Sequence, residues 1–149
     1  RYTHYPMNIK KIMTPPVRRE DVPAALASLG IAVTAQRIEI GAILLESMQH
    51  LSAEQVQARL EADGASASKA TVYNTLGLFA KKGLVRELVI DGARVFYDSN
   101  PSDHFHFYNV DDGTLFDFPS SPVTLTNLPT PPEGTKLDKV DVIVRVTTK

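Results

Sequence analysis

Ser68–Asp98, SKATVYNTLGLFAKKGLVRELVIDGARVFYD, is the stretch on which the fold turns. Ser68 stands where a serine hydroxyl can take one of the backbone N–H groups that a helix start leaves without a partner. From there Val72, Leu76, Phe79 and Ala80 recur at helical spacing as an inward stripe, and Gly83 closes the helix. Two strand-forming runs follow, Leu84–Ile90 and Ala93–Asp98, separated by Asp91-Gly92, a strong hairpin signal. A capped helix running straight into a two-stranded hairpin predicts a winged helix-turn-helix, provided that other helices precede it.

Working backwards, three candidates do. Ser52-Ala-Glu-Gln55 has the form of a capping box, with Val56 and Leu60 as core positions and Asp63-Gly64 as the stop. Thr34 is placed to cap an earlier helix carrying Ile38, Ala42 and Leu45. Before it, Asp21 can cap a short helix with Pro23 in its first turn, Leu26 and Leu29 inward and Gly30 at its end. On the helix after Ser68, the face opposite the core stripe carries Ala70, Tyr73, Asn74, Gly77 and Lys81. Small residues there let a helix enter a major groove ~12 Å wide, and tyrosine and asparagine can bond base edges. Lys69 and Lys81 can reach phosphates, which position a helix without reading sequence. Glycine in a helix interior costs ~1 kcal/mol relative to alanine, so Gly77 calls for a neighbour that needs the missing side chain.

Composition bounds the alternatives. The 149 residues are 43% hydrophobic with a net charge of -1, and no apolar run has the length of a membrane span. There is no cysteine, which excludes disulfides and thiolate metal sites and makes the cytoplasm the expected location. Charge is uneven: Arg1, Lys10, Lys11, Arg18 and Arg19 precede the first acid, whereas seven acids face four bases from Pro101 onward. This predicts contact with double-stranded DNA at one end of the chain, and no contact with membrane. The residues expected on DNA are Arg18, Arg19, Lys69, Ala70, Thr71, Tyr73, Asn74 and Lys81.

A composition change at Asn100-Pro101-Ser102 marks a hinge, giving a basic arm at 1–18, a winged-helix domain at 19–99 and a second domain at 100–149. Beyond the hinge, His104–Val110 and Thr114–Phe118 read as strands around Asp111-Asp112-Gly113. Pro119, Pro122, Pro129, Pro131 and Pro132 make the next stretch a poor helix, and Val140, Val142, Val144 and Val146 alternate as a closing strand. In His104-Phe105-His106-Phe107 the imidazoles share one face and the phenyl rings the other. A two-residue turn at Asp112-Gly113 places Tyr108 opposite Asp117, puts Asp117 on the histidine face and gathers Phe116 and Phe118 with Phe105 and Phe107 on the core side. A three-residue loop would mix aromatics with ligands. In the two-residue register His106 and Asp117 are diagonal neighbours ~7–8 Å apart, a gap a metal could bridge. Two imidazoles and a carboxylate with open positions suit iron or manganese; the bland reading is a polar strand face with surface histidines.

The chain resembles the ferric uptake regulator family, and within it the peroxide-responsive regulators. The resemblance rests on Val33-Thr-Ala-Gln-Arg37, His50-Leu-Ser-Ala-Glu54, Ala70-Thr-Val-Tyr-Asn-Thr-Leu76, Ser102-Asp-His-Phe-His106 and Asp112-Gly-Thr-Leu-Phe-Asp-Phe118. It implies an α+β chain: an N-terminal winged helix-turn-helix domain, with the third and fourth helices as the helix-turn-helix, followed by a small α/β dimerisation domain. It also implies a homodimeric repressor, not an enzyme, and a regulatory metal site at His50, Asp98, His104, His106 and Asp117. The implied metal is Fe(II) or Mn(II), with Zn(II) as a substitute in vitro, and the implied oxidation-sensitive ligands are His50 and His104. Two departures follow from the residues. Asn109 and Asp112 occupy the positions of a first cysteine pair and the second pair is missing, so no cysteine-ligated structural zinc is expected. Asp103 and Phe105 replace ligands of an accessory site. The cysteine-free pattern also resembles the haem-responsive iron regulators, which makes an iron- or haem-status regulator the alternative. The alternative of another class is a non-haem iron enzyme using His104, His106 and Asp117.

Overall fold

The computed structural model describes residues 13–149. Of the basic arm, Arg1, Lys10 and Lys11 lie outside the described residues. The chain divides into two compact units, the first ending at Pro101 and the second running Ser102–Lys149.

The first unit holds a 3-10 turn at Arg19–Asp21, α1 (Val22–Ser28), α2 (Ala35–Leu45), β1 (His50–Leu51), α3 (Ala53–Ala62), α4 (Lys69–Lys82), β2 (Arg86–Asp91) and β3 (Arg94–Asp98). Local chemistry starts and stops three of the helices as expected. Thr34 and Ser68 accept the N–H groups of Arg37 and Thr71 at 3.3 and 3.1 Å. At α3 both halves of the capping box form: Gln55 N–H donates to Ser52 Oγ at 3.2 Å, and Ser52 N–H to Gln55 Oε1 at 2.8 Å. Gly83 ends α4 with φ of 86°, a left-handed conformation that glycine adopts without cost. Asp21 departs from expectation. It holds the N-cap position of α1 without capping it, and its carboxylate instead accepts from Arg18 Nε at 3.3 Å.

Val22, Leu26, Ile40, Leu44, Leu45, Val56, Leu60, Val72, Leu76 and Phe79 are buried at 2% exposure or less and form one core under all four helices. Complete burial of such a side chain contributes ~1.5–3 kcal/mol, so this core is the platform that aims α4. On α2 the most buried positions are Ile40, Ile43, Leu44 and Leu45, while Ile38 and Ala42 sit at the margin. The face turns because Gly41 lets α2 approach α1 closely: a Cβ there would meet Val22 Cγ1 at 2.9 Å.

The wing is the antiparallel sheet β1-β3-β2. Its turn is Gly92-Ala93, one residue later than expected. Asp91 pairs with Arg94 after an irregularity between Val89 and Asp91, and the Asp91 carboxylate accepts the Ala93 N–H at 2.9 Å. Strand β1 is too short for periodicity to reveal.

The second unit is a sheet of order β5-β4-β6, built from β4 (His104–Asn109), β5 (Leu115–Pro119) and β6 (Ile143–Val146), with β6 parallel to β4. The α+β class holds for the chain as a whole. Within this unit, however, residues 120–142 carry no helix, and the closing strand is shorter than the Val140–Val146 alternation suggests. The β4–β5 register also differs from expectation. His106 pairs with Asp117 and Tyr108 with Leu115, because Val110–Gly113 forms a four-residue loop in place of a two-residue turn. Gly113 N–H bonds Asn109 O at 2.9 Å across the loop, with φ of 74° at Gly113. Two extra residues preserve parity, so the faces sort as expected: imidazoles with Asp117, phenyl rings together.

Which face is buried is the reverse of expectation. His106, Tyr108 and Leu115 are buried, whereas Phe107 and Phe116 are 37% and 56% exposed. Alternation says which residues share a face, not which face is covered, and Tyr108 and Leu115 supply apolar surface on the imidazole side. The phenyl rings pack on one another, Phe107 and Phe118 at 4.6 Å between centroids.

Candidate metal centre and nucleic-acid face

Three of the five expected ligands meet in the second unit. Because His106 and Asp117 are directly paired, their side chains leave one sheet face side by side, closer than the diagonal expected from the sequence. His106 Nε2 lies 3.2 Å from Asp117 Oδ1, and His104 Nε2 lies 3.9 Å from Asp117 Oδ2. His104, His106 and Asp117 each offer a ligand atom, all within 4.8 Å of one another. The two imidazole side chains are only 4% and 7% exposed.

The tautomer of His104 is set by a contact that no sequence pattern announces. Its Nδ1 lies 2.6 Å from the Ser102 carbonyl, which can only accept, so Nδ1 carries the proton and donates it. In the neutral ring the Nε2 lone pair then faces the carboxylate. A lone pair and a carboxylate facing each other at this distance leave room for a cation or a proton between them, so this donor set fits a metal ion of the iron or manganese kind.

The other two expected ligands lie on paired strands of the first unit. His50 on β1 is directly opposite Asp98 on β3, so the two side chains share a face. Asp98 is 2% exposed and accepts the Asn100 N–H at 2.8 Å, while the His50 ring meets Phe96 edge-on at 6.0 Å. A buried junction holds the two strands together. Ser99 N–H bonds Gln49 O at 2.8 Å, Gln49 N–H bonds Ser99 Oγ at 3.2 Å, and the Ser99 hydroxyl donates to Ser47 O at 2.9 Å. These partners are about fifty positions apart in the chain, beyond the reach of any local signal.

The outer face of α4 presents Lys69, Ala70, Tyr73, Asn74, Gly77 and Lys81 to solvent. Thr71 is half-buried, with its hydroxyl 2.8 Å from Ser68 Oγ. Tyr73 is held: its hydroxyl donates to the Glu54 carboxylate of α3. That bond keeps the Tyr73 phenol above its usual range and the Glu54 carboxyl below its own. A Cβ on Gly77 would meet nothing within 4 Å, so the described part of the chain does not itself require glycine there. Both expected arm contacts are engaged with carboxylates. Arg19 forms a forked pair with Glu39, which raises the guanidinium and lowers the carboxyl. Arg18 lies 3.5 Å from Glu20 and 3.3 Å from Asp21. These pairs are exposed and water-screened, so they contribute little to stability. Among the described residues no helix is long and apolar enough to cross a membrane.

Comparison with known proteins sets this geometry in a family. The chain is 38% identical over 93 residues to the peroxide operon regulator of Bacillus subtilis strain 168, a match covering 62% of this chain and 64% of that protein. It is 33% identical over 99 residues to the peroxide-responsive repressor PerR of Staphylococcus aureus strain Mu50, covering 66% of this chain and 67% of the relative. The match therefore spans about two thirds of these curated relatives. Among solved structures, the ferric uptake regulator from Pseudomonas aeruginosa with manganese superposes with a TM-score of 0.65 at 26% identity, covering 86% of this chain and 98% of that one. The model of the ferric uptake regulator family matches residues 28–144, so the chain belongs to that family.

Proposed function

We propose that this chain is a metal-dependent transcriptional repressor that binds double-stranded operator DNA as a homodimer and responds to peroxide. The observation that carries the reading is the cluster of His104, His106 and Asp117 on one sheet face, both imidazoles covered, in a chain whose other unit is a winged helix. The peroxide response is supported by two relatives named as peroxide regulators.

In this reading Fe(II) or Mn(II) is held by His104, His106 and Asp117 together with His50 and Asp98; Zn(II) would substitute in vitro. The ligands come in two preformed parts, one on each unit. Ser102 orients His104, and the Ser99–Gln49 junction sets His50 beside Asp98. Joining the parts restrains the connection at Asn100-Pro101-Ser102, and in a symmetric dimer that restraint sets the separation of two α4 helices. Half-sites one turn apart require ~34 Å, and driving such an equilibrium from mostly open to mostly closed takes ~5.5 kcal/mol. A site complete only in the closed form supplies energy of that kind. The exposed phenyl face, with Phe107, Phe116 and Val144 at 37–56% exposure, gives a dimer the apolar surface it needs.

Bound Fe(II) supplies one-electron reduction of hydrogen peroxide, which would mark His50 and His104 as the oxidation-sensitive ligands. A regulator held shut by five side chains leaves little room for substrate, so the chain reads as a regulator, not a non-haem iron enzyme.

The test is a DNA-shift assay with apo, Mn(II) and Fe(II) protein, with and without peroxide, followed by peptide mass analysis of His50 and His104. Peroxide should release DNA from the Fe(II) form alone, with oxygen added at one of these histidines. Equal responses in both metal forms, or none, would overturn peroxide sensing. A haem absorbance band accompanied by weaker DNA binding would favour the iron- or haem-status reading. Asp117→Asn should abolish metal-dependent binding without unfolding the chain.

A further inference from the structure

Between the first turn of α2 and the reading helix α4 lies an open cleft of about 520 Å³. Thr34, Gln36 and Arg37 wall it on one side, and Thr71, Asn74 and Thr75 on the other. Arg37 is its one charged lining residue, and no carboxylate faces in. The start of the eleven-residue helix α2 contributes backbone donors. Thr34 takes the Arg37 N–H, whereas Ala35 and Gln36 have no carbonyl one turn back to bond. These N–H groups and the helix dipole together favour an anion.

A helix start alone would mean little; Thr75 gives the second observation. It sits on α4 at 7% exposure, lines the cleft, and its hydroxyl has no hydrogen-bond partner among the described residues. Its proton is available to an acceptor arriving through the cleft. Arg37 is already braced to meet the same acceptor. One guanidinium nitrogen bonds the Ala32 carbonyl at 2.7 Å, which fixes the group's position while leaving further donors.

We propose that this cleft seats one backbone phosphate of the bound duplex, gripped by the Ala35 and Gln36 N–H groups, the Arg37 guanidinium and the Thr75 hydroxyl. The proposal rests on the DNA-binding reading above and deepens it. Asn74 belongs to both the cleft and the outer face of α4, so a phosphate seated here pins the reading helix beside its groove. Such a contact sets register and orientation without reading bases.

The experiment uses the full chain loaded with Mn(II) and a duplex selected from a random-sequence pool. Failure to select any duplex would refute DNA reading itself, separately from this cleft. On the selected duplex, each phosphate is replaced in turn by an uncharged methylphosphonate. The wild type should lose roughly tenfold in affinity at one phosphate per half-site, and Arg37→Gln should lose as much on unmodified DNA but nothing more at that phosphate. The slope of log K against log salt should fall by about 0.9 for each phosphate contact removed. Thr75→Val should weaken binding roughly fivefold while Thr75→Ser stays near wild type. Additive losses at every phosphate, or an unchanged salt slope, would overturn the seat. Equal losses in Thr75→Val and Thr75→Ser would remove Thr75 from it. Competition by inorganic phosphate without methylphosphonate sensitivity would identify a free-anion site and overturn the duplex as its source.

Discussion

Replacing Ser99 by alanine removes one hydroxyl, 5% exposed, from the junction that sets His50 beside Asp98. Three contacts go with it: the bond accepted from the Gln49 N–H at 3.2 Å, and a forked donation to the Ser47 carbonyl at 2.9 Å and the Gln49 carbonyl at 3.2 Å. The backbone bond from Ser99 N–H to Gln49 O survives. A net hydrogen bond contributes ~1 kcal/mol, and the part-buried Gln49 N–H left behind adds ~1 kcal/mol or more. The expected loss is therefore ~2 kcal/mol, which for a unit of this size lowers the melting temperature by about 10 °C. Under the proposed metal site a second effect follows, because strands β1 and β3 carry two of its ligands. Disturbing residues that orient ligands typically costs ~10–100-fold in metal affinity. Scanning calorimetry with and without Mn(II), plus a direct Mn(II) titration, measures both. A melting temperature within about 2 °C of wild type would show that the junction does not hold the strands. A large fall with unchanged Mn(II) affinity would detach His50 and Asp98 from the site.

Three further outcomes are expected. Tyr73→Phe frees Glu54, whose carboxyl should then titrate higher, in the usual carboxylate range. Because the folded pKa is the lowered one, the pair's small stabilisation is present above that range and fades as acid protonates Glu54; an unchanged carboxyl carbon titration would contradict this. Gly77→Ala has open space for its methyl and should stabilise the chain by ~1 kcal/mol in urea unfolding while weakening duplex binding several-fold. Unchanged binding would mean that no groove wall approaches that glycine. Gly41→Ala places a methyl 2.9 Å from Val22 Cγ1 and should cost ~1–3 kcal/mol, with Val22→Ala in the same chain recovering part of it; a more stable Gly41→Ala would refute the close approach of α1 and α2.

Features decided within four residues of chain are legible in the sequence. The Thr34, Ser52 and Ser68 caps and the Gly83 stop all fall into this class, because donor and acceptor lie within one turn. Parity in the second unit is legible for a similar reason: His-Phe-His-Phe must alternate in any strand. Register is harder, because loop length depends on side-chain bonds inside the loop. Asp111 N–H bonds Asn109 Oδ1, and Thr114 N–H bonds Asp112 Oδ1, each at 2.9 Å. These close a four-residue loop where Asp112-Gly113 alone suggests two. Nothing in an alternating pattern tells which face is covered, and the phenyl side was the natural but mistaken choice for the core. Strand alternation brings out His104, His106 and Asp117 as candidate ligands, whereas His50 and Asp98 come from family likeness alone. What geometry adds is that His104, His106 and Asp117 converge in one unit, while His50 and Asp98 stand opposite each other on paired strands of the other. Ser99, Ser102, Glu54 and Thr75 escape notice because common polar residues carry no signal until their neighbours are known.

The bond from His104 to the Ser102 carbonyl makes the connecting segment and the ligand a single mechanical part. A backbone rotation at Ser102 or Asp103 would swing the imidazole or release its proton to the other nitrogen. Substitutions at these inconspicuous linker positions should therefore behave like ligand substitutions, altering ion affinity with every donor intact. Conversely, an ion that grips the ring would also stiffen the segment that joins the two units, so occupancy would be transmitted to that segment without any separate relay.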